Sequence, residues 1–493
     1  MPGRGSPKAE PPLRAGTGAR RIAAGTLVQA GGEVAGRLAS LALFVAIARE
    51  LGEGGLGDFV FGTSVAAVLF TFAGFGTDQV VAREVARDRQ RAHDLLANVV
   101  VLKLLISAAL LPLMAAAVTL SGQSAHITVA LVLLGTGVAI EIVTKSVYAV
   151  LQAYERFELV SASLVLQRTL TAAAGIAVLV RGGDLLGVGV VVAAGALIGL
   201  LSAVLWLYGR VARPRLSVER SRWAEIARAG IPVGLAIALY AVLLRLDAAL
   251  LGFLKDSAAV GAYGAAFRIV MATTFVPWAF AAAALPWLSR QVEREGSSLA
   301  RAYELGLKGL VAILLPVATA VVLYAEPVVE LLYGLGFNDA VTPLRILAPI
   351  MVLYGVNSFT STLMISRGRA SEFARPAAFV LAQNALFNLV LIPPLGATGA
   401  ALNATLSGAL LAGLTERRAA RVAGRVSFAR VLLAPVAASG ALAAVIASSG
   451  FELDPYTVAA GVTAWVVALV AVERLAFRDD FQFFAALVRR APR

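Results

Sequence analysis

The sequence predicts an all-α polytopic membrane protein of about 14 transmembrane helices, arranged as two pseudo-repeated six-helix lobes plus two C-terminal helices. Three observations carry that prediction: the apolarity of the chain, the one-sided placement of its basic residues, and an internal echo. Of 493 residues, 59% are hydrophobic and 15% charged, with a mean hydropathy of +0.82. Such a chain is too apolar for a soluble protein and too long for a single core.

Windows of about 20 apolar residues, the length an α-helix needs to cross a bilayer, fall at 26–48, 58–77, 97–120, 127–150, 158–180, 185–208, 230–252, 260–288, 305–325, 344–365, 375–393, 397–414, 431–449 and 457–475. Ahead of them, "MPGRGSPKAEPPLRAGTGARRI" (1–22) has no apolar run of the signal-peptide kind and reads as a disordered, basic cytoplasmic tail. The remaining divisions are an N-lobe at 23–208, a cytoplasmic linker at 209–229, a C-lobe at 230–414, a final helix pair at 431–475 and a basic tail at 476–493. Within that tail "FQFFAALVRR" reads as an interfacial helix.

Orientation follows from counting charges. Of 43 Lys and Arg, 32 lie in the N-terminal tail, the even-numbered loops and the C-terminal tail, and only Arg49, Arg181, Lys255 and Arg345 lie in the odd-numbered loops. Basic residues stay on the cytoplasmic side, so both termini are expected there, in a multi-pass protein of the cell membrane. The net charge of +13 is thereby explained by topology and calls for no nucleic-acid partner. The longest outer loop, 325–343, has fewer than 20 residues and cannot hold a soluble catalytic domain. With no cysteine, only His93 and His126 near helix ends, and no phosphate-binding GxxxxGK[ST] motif, neither a metal site nor a cofactor is expected.

Pro112 in "LKLLISAALLPLM" and Pro316 in "LKGLVAILLPVAT" lie 204 residues apart, as do "GDF" at 57–59 and "GAY" at 261–263. Further along, "LGVGVVVAAGALIG" (186–199) matches "LGATGAALNATLSG" (395–408). An even number of helices separates the copies, so the two lobes share one orientation. Repeated lobes around a midplane site are transporter architecture.

Seven basic residues fall within spans: Arg37, Lys103, Lys145, Arg168, Arg245, Arg268 and Lys308. Only three acids clearly accompany them: Glu33, Glu141 and Asp247. Glu33 with Arg37 and Glu141 with Lys145 have the i,i+4 spacing that permits neutralisation on one helix face. Lys103 and Lys308 lie near enough to the cytoplasmic end to snorkel. Arg245 and Asp247, two residues apart, point to nearly opposite sides and cannot serve each other. Arg168, Arg245 and Arg268 lie deep in their spans, and Asp247 can neutralise one at most. Each uncompensated charge at a helix centre costs about 2.5–3.5 kcal/mol on insertion scales. Two arrangements satisfy this: pairing with backbone carbonyls and end-of-helix acids such as Asp78 or Glu155, or a water-filled cationic cavity whose counter-charge arrives with the substrate. Arginine suits the second, because its planar fork can grip a phosphate bidentately. The acids Glu33, Glu141 and Asp247 are the candidates for binding a coupling proton or sodium ion. Polar groups such as Gln152, Gln167, Asn357, Gln383, Asn384, Asn388 and Asn403 are available either to sugars or to helix–helix hydrogen bonds.

The stretches "ARELGEGGLGDFVFG" (48–62), "VGAYGAAFRI" (260–269), "LLYGLGFNDAVTPLRIL" (331–347) and "PPLGATGAALNATLSG" (393–408) resemble the polysaccharide flippases of the O-antigen and exopolysaccharide (Wzx) type, within the multidrug/oligosaccharidyl-lipid/polysaccharide exporter superfamily. The resemblance implies a V-shaped two-lobed bundle in cell-surface polysaccharide biosynthesis. It would move undecaprenyl-diphosphate-linked oligosaccharide from the inner to the outer leaflet by alternating access, without being an enzyme. Membrane lipids, and the polymerase and glycosyltransferases of the same pathway, are the implied partners. Lipid II flippases of the superfamily use arginines on helices 1, 2 and 8. Arg37 and Arg268 resemble the first and last of these, whereas the second span, 58–77, has no basic residue. The substrate-binding set expected is therefore Arg37, Arg168, Arg245 and Arg268. The alternatives are an ion-coupled multidrug or toxin exporter, a lipid II flippase, or, in another class, a membrane-embedded polysaccharide polymerase or ligase.

Overall fold

In the bilayer core a backbone N–H or C=O has no water to bond, so a spanning segment must satisfy its own backbone as a helix. The computed structural model describes residues 15–482 apart from 75, 215–216, 278, 281–296, 368, 370–371, 373 and 452, and these residues form helices and connections with no strand. The expected tail 1–22 lies outside the described residues up to 14, and most of "FQFFAALVRR" also lies outside them.

The first group of helices is α1 (Ala15–Gly74), α2 (Thr77–Arg87), α3 (Arg91–Leu120), α4 (Ala125–Ala153), α5 (Phe157–Val180) and α6 (Leu185–Trp206). Here α4 packs on α6 and α1 on α5. Side chains mark two of the starts: Ser124 accepts from Ile127 N–H ahead of α4, and Asp184 accepts from Gly187 N–H ahead of α6. The second group is α7 (Trp223–Leu254), α8 (Ser257–Ala272), α9 (Ser297–Leu323), α10 (Ala325–Tyr333), α11 (Val341–Leu347), α12 (Ile350–Ser366) and α13 (Ala374–Ala423). A hairpin of α14 (Phe428–Ser448) and α15 (Pro455–Ala476) packs onto α9 through α14.

Eleven helices among the described residues are long and apolar enough to cross a membrane, or 12 if the bent pair Leu335–Leu347 and Ile350–Met364 is one span. Two of these stretches, of 44 and 50 residues, are each a pair of helices joined at a kinked glycine and each long enough for two spans, which is where the count parts from the expected fourteen. Gly31–Gly74 covers most of the first two predicted spans and Ala374–Ala423 covers the eleventh and twelfth, with kinks at Gly52 (φ 69°) and Gly396 (φ 54°), a backbone region glycine reaches freely. The expected outer loop 325–343 is itself ordered as α10, a 3-10 segment Leu335–Ala340 and the start of α11.

The two groups meet through backbone. A methyl group on Gly57 would sit 1.6 Å from the Ser257 carbonyl oxygen, and one on Gly261 would sit 2.1 Å from that of Glu53. The echoed motifs "GDF" and "GAY" are thus the two sides of one contact. Around it, Ser257 Oγ and Gln123 Nε2 donate to Asp58 Oδ1, and Arg49 donates to the carbonyls of Leu331 (2.5 Å) and Leu332 (2.9 Å). At the opposite end Gly76 (φ 68°) closes on α7, where an added methyl would lie 2.5 Å from the Gly230 carbonyl. Asn98 straps the linker there: its Oδ1 accepts from Glu219 N–H (2.8 Å) and Trp223 Nε1 (3.0 Å).

The two echoed lysines are buried and paired instead of snorkelling. Lys103 (0% exposed) donates to Asp78 Oδ1 at 2.5 Å and to the Ile142 carbonyl at 3.0 Å. Lys308 (1% exposed) donates to Glu473 and Asp480, each at 2.8 Å, and Arg301 also pairs with Asp480. The helix α15 and the short helical stretch 478–482 after it thus supply acids to a lysine on α9 and fasten the appended hairpin.

Two outcomes are expected. In the naturally cysteine-free chain, Asp58→Cys with Ser257→Cys should cross-link through a short bifunctional reagent, and Gly57→Val should cut the yield several-fold. Unchanged yield would show that the glycine contact does not close this end. Lys308→Met should lower unfolding stability in detergent by about 3–5 kcal/mol, the cost of leaving buried acids without their counter-charge. Adding Glu473→Gln and Asp480→Asn should recover part of that loss.

Candidate functional site

The opposition of Arg245 and Asp247 is realised on α7. Asp247 (4% exposed) turns into the second helix group, where its Oδ1 accepts from Asn384 Nδ2 (2.9 Å) and Asn388 Nδ2 (2.7 Å), and Tyr263 OH donates to Oδ2 at 3.3 Å. All three donors are neutral, so the carboxylate has no cationic partner among the described residues. A cavity of about 50 Å³ adjoins it, bordered by Asn357, Asn384 and Ser407. The fully buried Asn388 leaves its Oδ1 without a partner.

Arg245 faces the other way, into a cavity of about 410 Å³ between the two helix groups. That volume falls in the roughly 300–1,000 Å³ range of small-molecule sites. Its walls are α1 and α4 on one side and α7 and α8 on the other, with Arg268 one of its α8 residues. Arg268 lies over the Phe44 ring, 5.1 Å from the centroid, a contact that orients a guanidinium without neutralising it. Among the described residues no acid pairs with Arg245 or Arg268. The charges of Arg245, Arg168 and Arg37 all bear on Arg268, which places the four expected arginines in one region.

The other two arginines share one carboxylate, which offsets one of their two charges. Glu33 is held by Arg37 Nε at 3.1 Å and by Arg168 Nη1 at 3.3 Å, so one carboxylate on α1 joins α1 to α5. Arg37 also donates to Thr274 Oγ1 at 3.1 Å, reaching the second helix group. Gly36 makes room for Arg168, whose Cδ lies 2.8 Å from where a methyl would stand. The Glu141–Lys145 pairing that the spacing permits is not formed. Gln167 Nε2 takes Glu141 Oε1 at 2.7 Å, and both Glu141 and Lys145 line the large cavity.

Of the polar residues offered to sugars, most bond helices together. Gln383 donates to Asn403, Asn403 to the Asn384 carbonyl, and Asn357 Oδ1 accepts from Thr415. Sequence reasoning passed over Glu473, Asp480 and Glu416, buried acids at span ends; Glu416 accepts from Tyr303 and Thr360. No group of three or more metal-ligating side chains occurs among the described residues.

Residues 22–292 match the family described as "Polysaccharide biosynthesis protein". A search of curated proteins returns no match. Among solved structures, the chain is similar to the lipid II flippase MurJ in an inward closed conformation, at TM-score 0.74 and 13% identity over 91% of this chain and 99% of that one. It is also similar to an inward-facing multidrug resistance MATE family transporter of the MOP superfamily, at TM-score 0.61 and 19% identity over 78% and 95%. A MOP superfamily transporter from Pyrococcus furiosus, described by the reversed polarity of its binding pocket, aligns at TM-score 0.59 and 17% identity over 82% and 95%. At these identities the likeness establishes the fold.

Proposed function

Because the chain belongs to the polysaccharide biosynthesis protein family, we propose that it is a flippase that carries undecaprenyl-diphosphate-linked oligosaccharide from the inner to the outer leaflet for lipopolysaccharide or exopolysaccharide assembly. The observation that carries this reading is the pair Arg245 and Arg268, unpaired among the described residues and open to a cavity between the helix groups. Two guanidinium groups without counter-charge are complementary to an anion, and the lipid diphosphate is the anionic part of this substrate class. Arg37 and Arg168, tied to Glu33, add positive field without being free to grip. A multidrug exporter of cations would meet repulsion in the same place. The work is positioning and carriage, with no bond made or broken.

Energetically, moving charge across a membrane is worth about 2.3 kcal/mol per elementary charge per 100 mV, so a dianion leaving a negative interior gains roughly 4–5 kcal/mol if the arginines stay behind. Asp247 is the acid we assign to a coupling ion, in preference to Glu33 and Glu141. Its only donors are neutral, and the unpartnered Asn388 Oδ1 lies in the same cluster. Glu33 and Glu141 are engaged by Arg37, Arg168 and Gln167.

Flipping of a fluorescent undecaprenyl-diphosphate oligosaccharide in proteoliposomes tests the reading. Removing a hydrogen-bonding partner from a charged group is worth about 1.5–3 kcal/mol, so Arg245→Ala or Arg268→Ala should slow flipping on the order of 10–100-fold. Lysine replacements should recover only part of this if the grip is bidentate. Wild-type protein inert toward the lipid, or folded variants at full rate, would contradict the assignment. Asp247→Asn should abolish the dependence of flipping on an imposed proton or sodium gradient, and persistence of that dependence would remove Asp247 from coupling.

A further inference from the structure

Lys145 is an intramembrane cation that the proposed grip by Arg245 and Arg268 leaves unused. It sits on α4 one turn after Glu141, and both line the large cavity from the first helix group, opposite Arg245 and Arg268 on α7 and α8. The i,i+4 spacing favours a Glu141–Lys145 ion pair. The fold does not form it: Gln167 on α5 holds Glu141 Oε1 at 2.7 Å, and no ion pair to Lys145 occurs among the described residues. The nearby lysine, Lys103, has taken Asp78, whose Oδ1 also accepts from Ser146 Oγ at 3.0 Å. The first helix group therefore presents an ammonium with no ion pair, with Glu141 beside it, to the same space in which the second presents two guanidinium groups with none.

We propose that Lys145 Nζ is the first lobe's half of the phosphate site, so that a bound diphosphate bridges Lys145 to Arg245 and Arg268 and ties the two lobes together. The proposal rests on the flippase reading and adds to it which residue makes binding sensitive to lobe position. An empty cavity sets Lys145 against Arg245 and Arg268 across the lobe boundary, with Glu141 the one acid in its lining to offset them. A diphosphate replaces that repulsion with attraction to both walls, so occupancy itself favours the occluded arrangement. A lysine suits this side, because its compact charge and three rotatable donors on a flexible stem can follow a phosphate as the lobes shift, whereas the rigid fork of an arginine fixes one geometry. Gln167 becomes a positioning residue: by occupying Glu141 it keeps the ammonium free.

The test uses the full chain in nanodiscs with undecaprenyl diphosphate and undecaprenyl monophosphate as probes. Affinity is measured together with the distance between spin labels on Leu120→Cys and Leu335→Cys, exposed positions in the two lobes. Wild type should bind the diphosphate more tightly than the monophosphate and show a narrowed distance distribution on binding. Lys145→Gln should bind the diphosphate at least tenfold more weakly, lose most of the preference over monophosphate and leave the distribution broad, and Lys145→Arg should retain binding. Gln167→Ala, which frees Glu141 to neutralise Lys145, should weaken binding similarly, and Glu141→Gln in that background should restore it. Wild type that binds neither probe would overturn the flippase reading and this proposal with it. Diphosphate binding that needs Arg245 but is unchanged, with the same narrowing, in Lys145→Gln would overturn this proposal alone. If Lys145→Gln does not fold, equal affinity of Gln167→Ala with and without Glu141→Gln would do the same.

Discussion

An ionised side chain inside a bilayer must find a partner, and the interior of this protein is organised around that requirement. Lys103 is met by Asp78, Lys308 by Glu473 and Asp480, and Arg37 and Arg168 share Glu33. Each pairing ties helices together: α2 to α3, α15 and the short helical stretch after it to α9, and α1 to α5. These pairings are structural fasteners. Glu33 offsets only one of its two arginines, and Arg245, Arg268 and Lys145, which make no ion pair among the described residues, face a shared cavity that Glu141 also lines. Charge left over in a membrane interior is a statement about what comes to fill it.

The second constraint is closeness. At Gly57 and Gly261, and again at Gly76 and Gly230, the two helix groups approach so nearly that backbone meets backbone. Around these glycines apolar side chains of both groups interdigitate, as where Phe61 meets Phe253 with ring centroids 5.1 Å apart. Side-chain bonds such as Ser257 to Asp58 and Arg49 to the Leu331 and Leu332 carbonyls are few and polar, and water can replace them. The cavity lies between these two contacts, with α1 and α4 on one side and α7 and α8 on the other.

The membrane class and helical fold were legible in the sequence because hydropathy and the positive bias of alternate loops act over whole segments. The opposite facing of Arg245 and Asp247 was legible for a local reason, their two-residue spacing on a helix. Partners distant in sequence were not. Nothing local shows that Lys308 reaches acids 165 and 172 residues away, or that Gln167 draws Glu141 from the lysine one turn later. The breaks expected between the first two spans and between the eleventh and twelfth fall at Gly52 and Gly396, where non-helical backbone kinks the chain with no loop between the two helices. An i,i+4 pair is a permission that tertiary neighbours can override, and Lys145 gains its interest from that override.

The most direct measurement is an electron cryomicroscopy structure of the protein in nanodiscs at saturating undecaprenyl-diphosphate oligosaccharide. The account predicts phosphate density in the cavity between the helix groups, with phosphate oxygens about 2.7–3.2 Å from the guanidinium nitrogens of Arg245 and Arg268. A cavity without phosphate at saturation, or the diphosphate seated elsewhere on the protein while those arginines are paired to other groups, would contradict it.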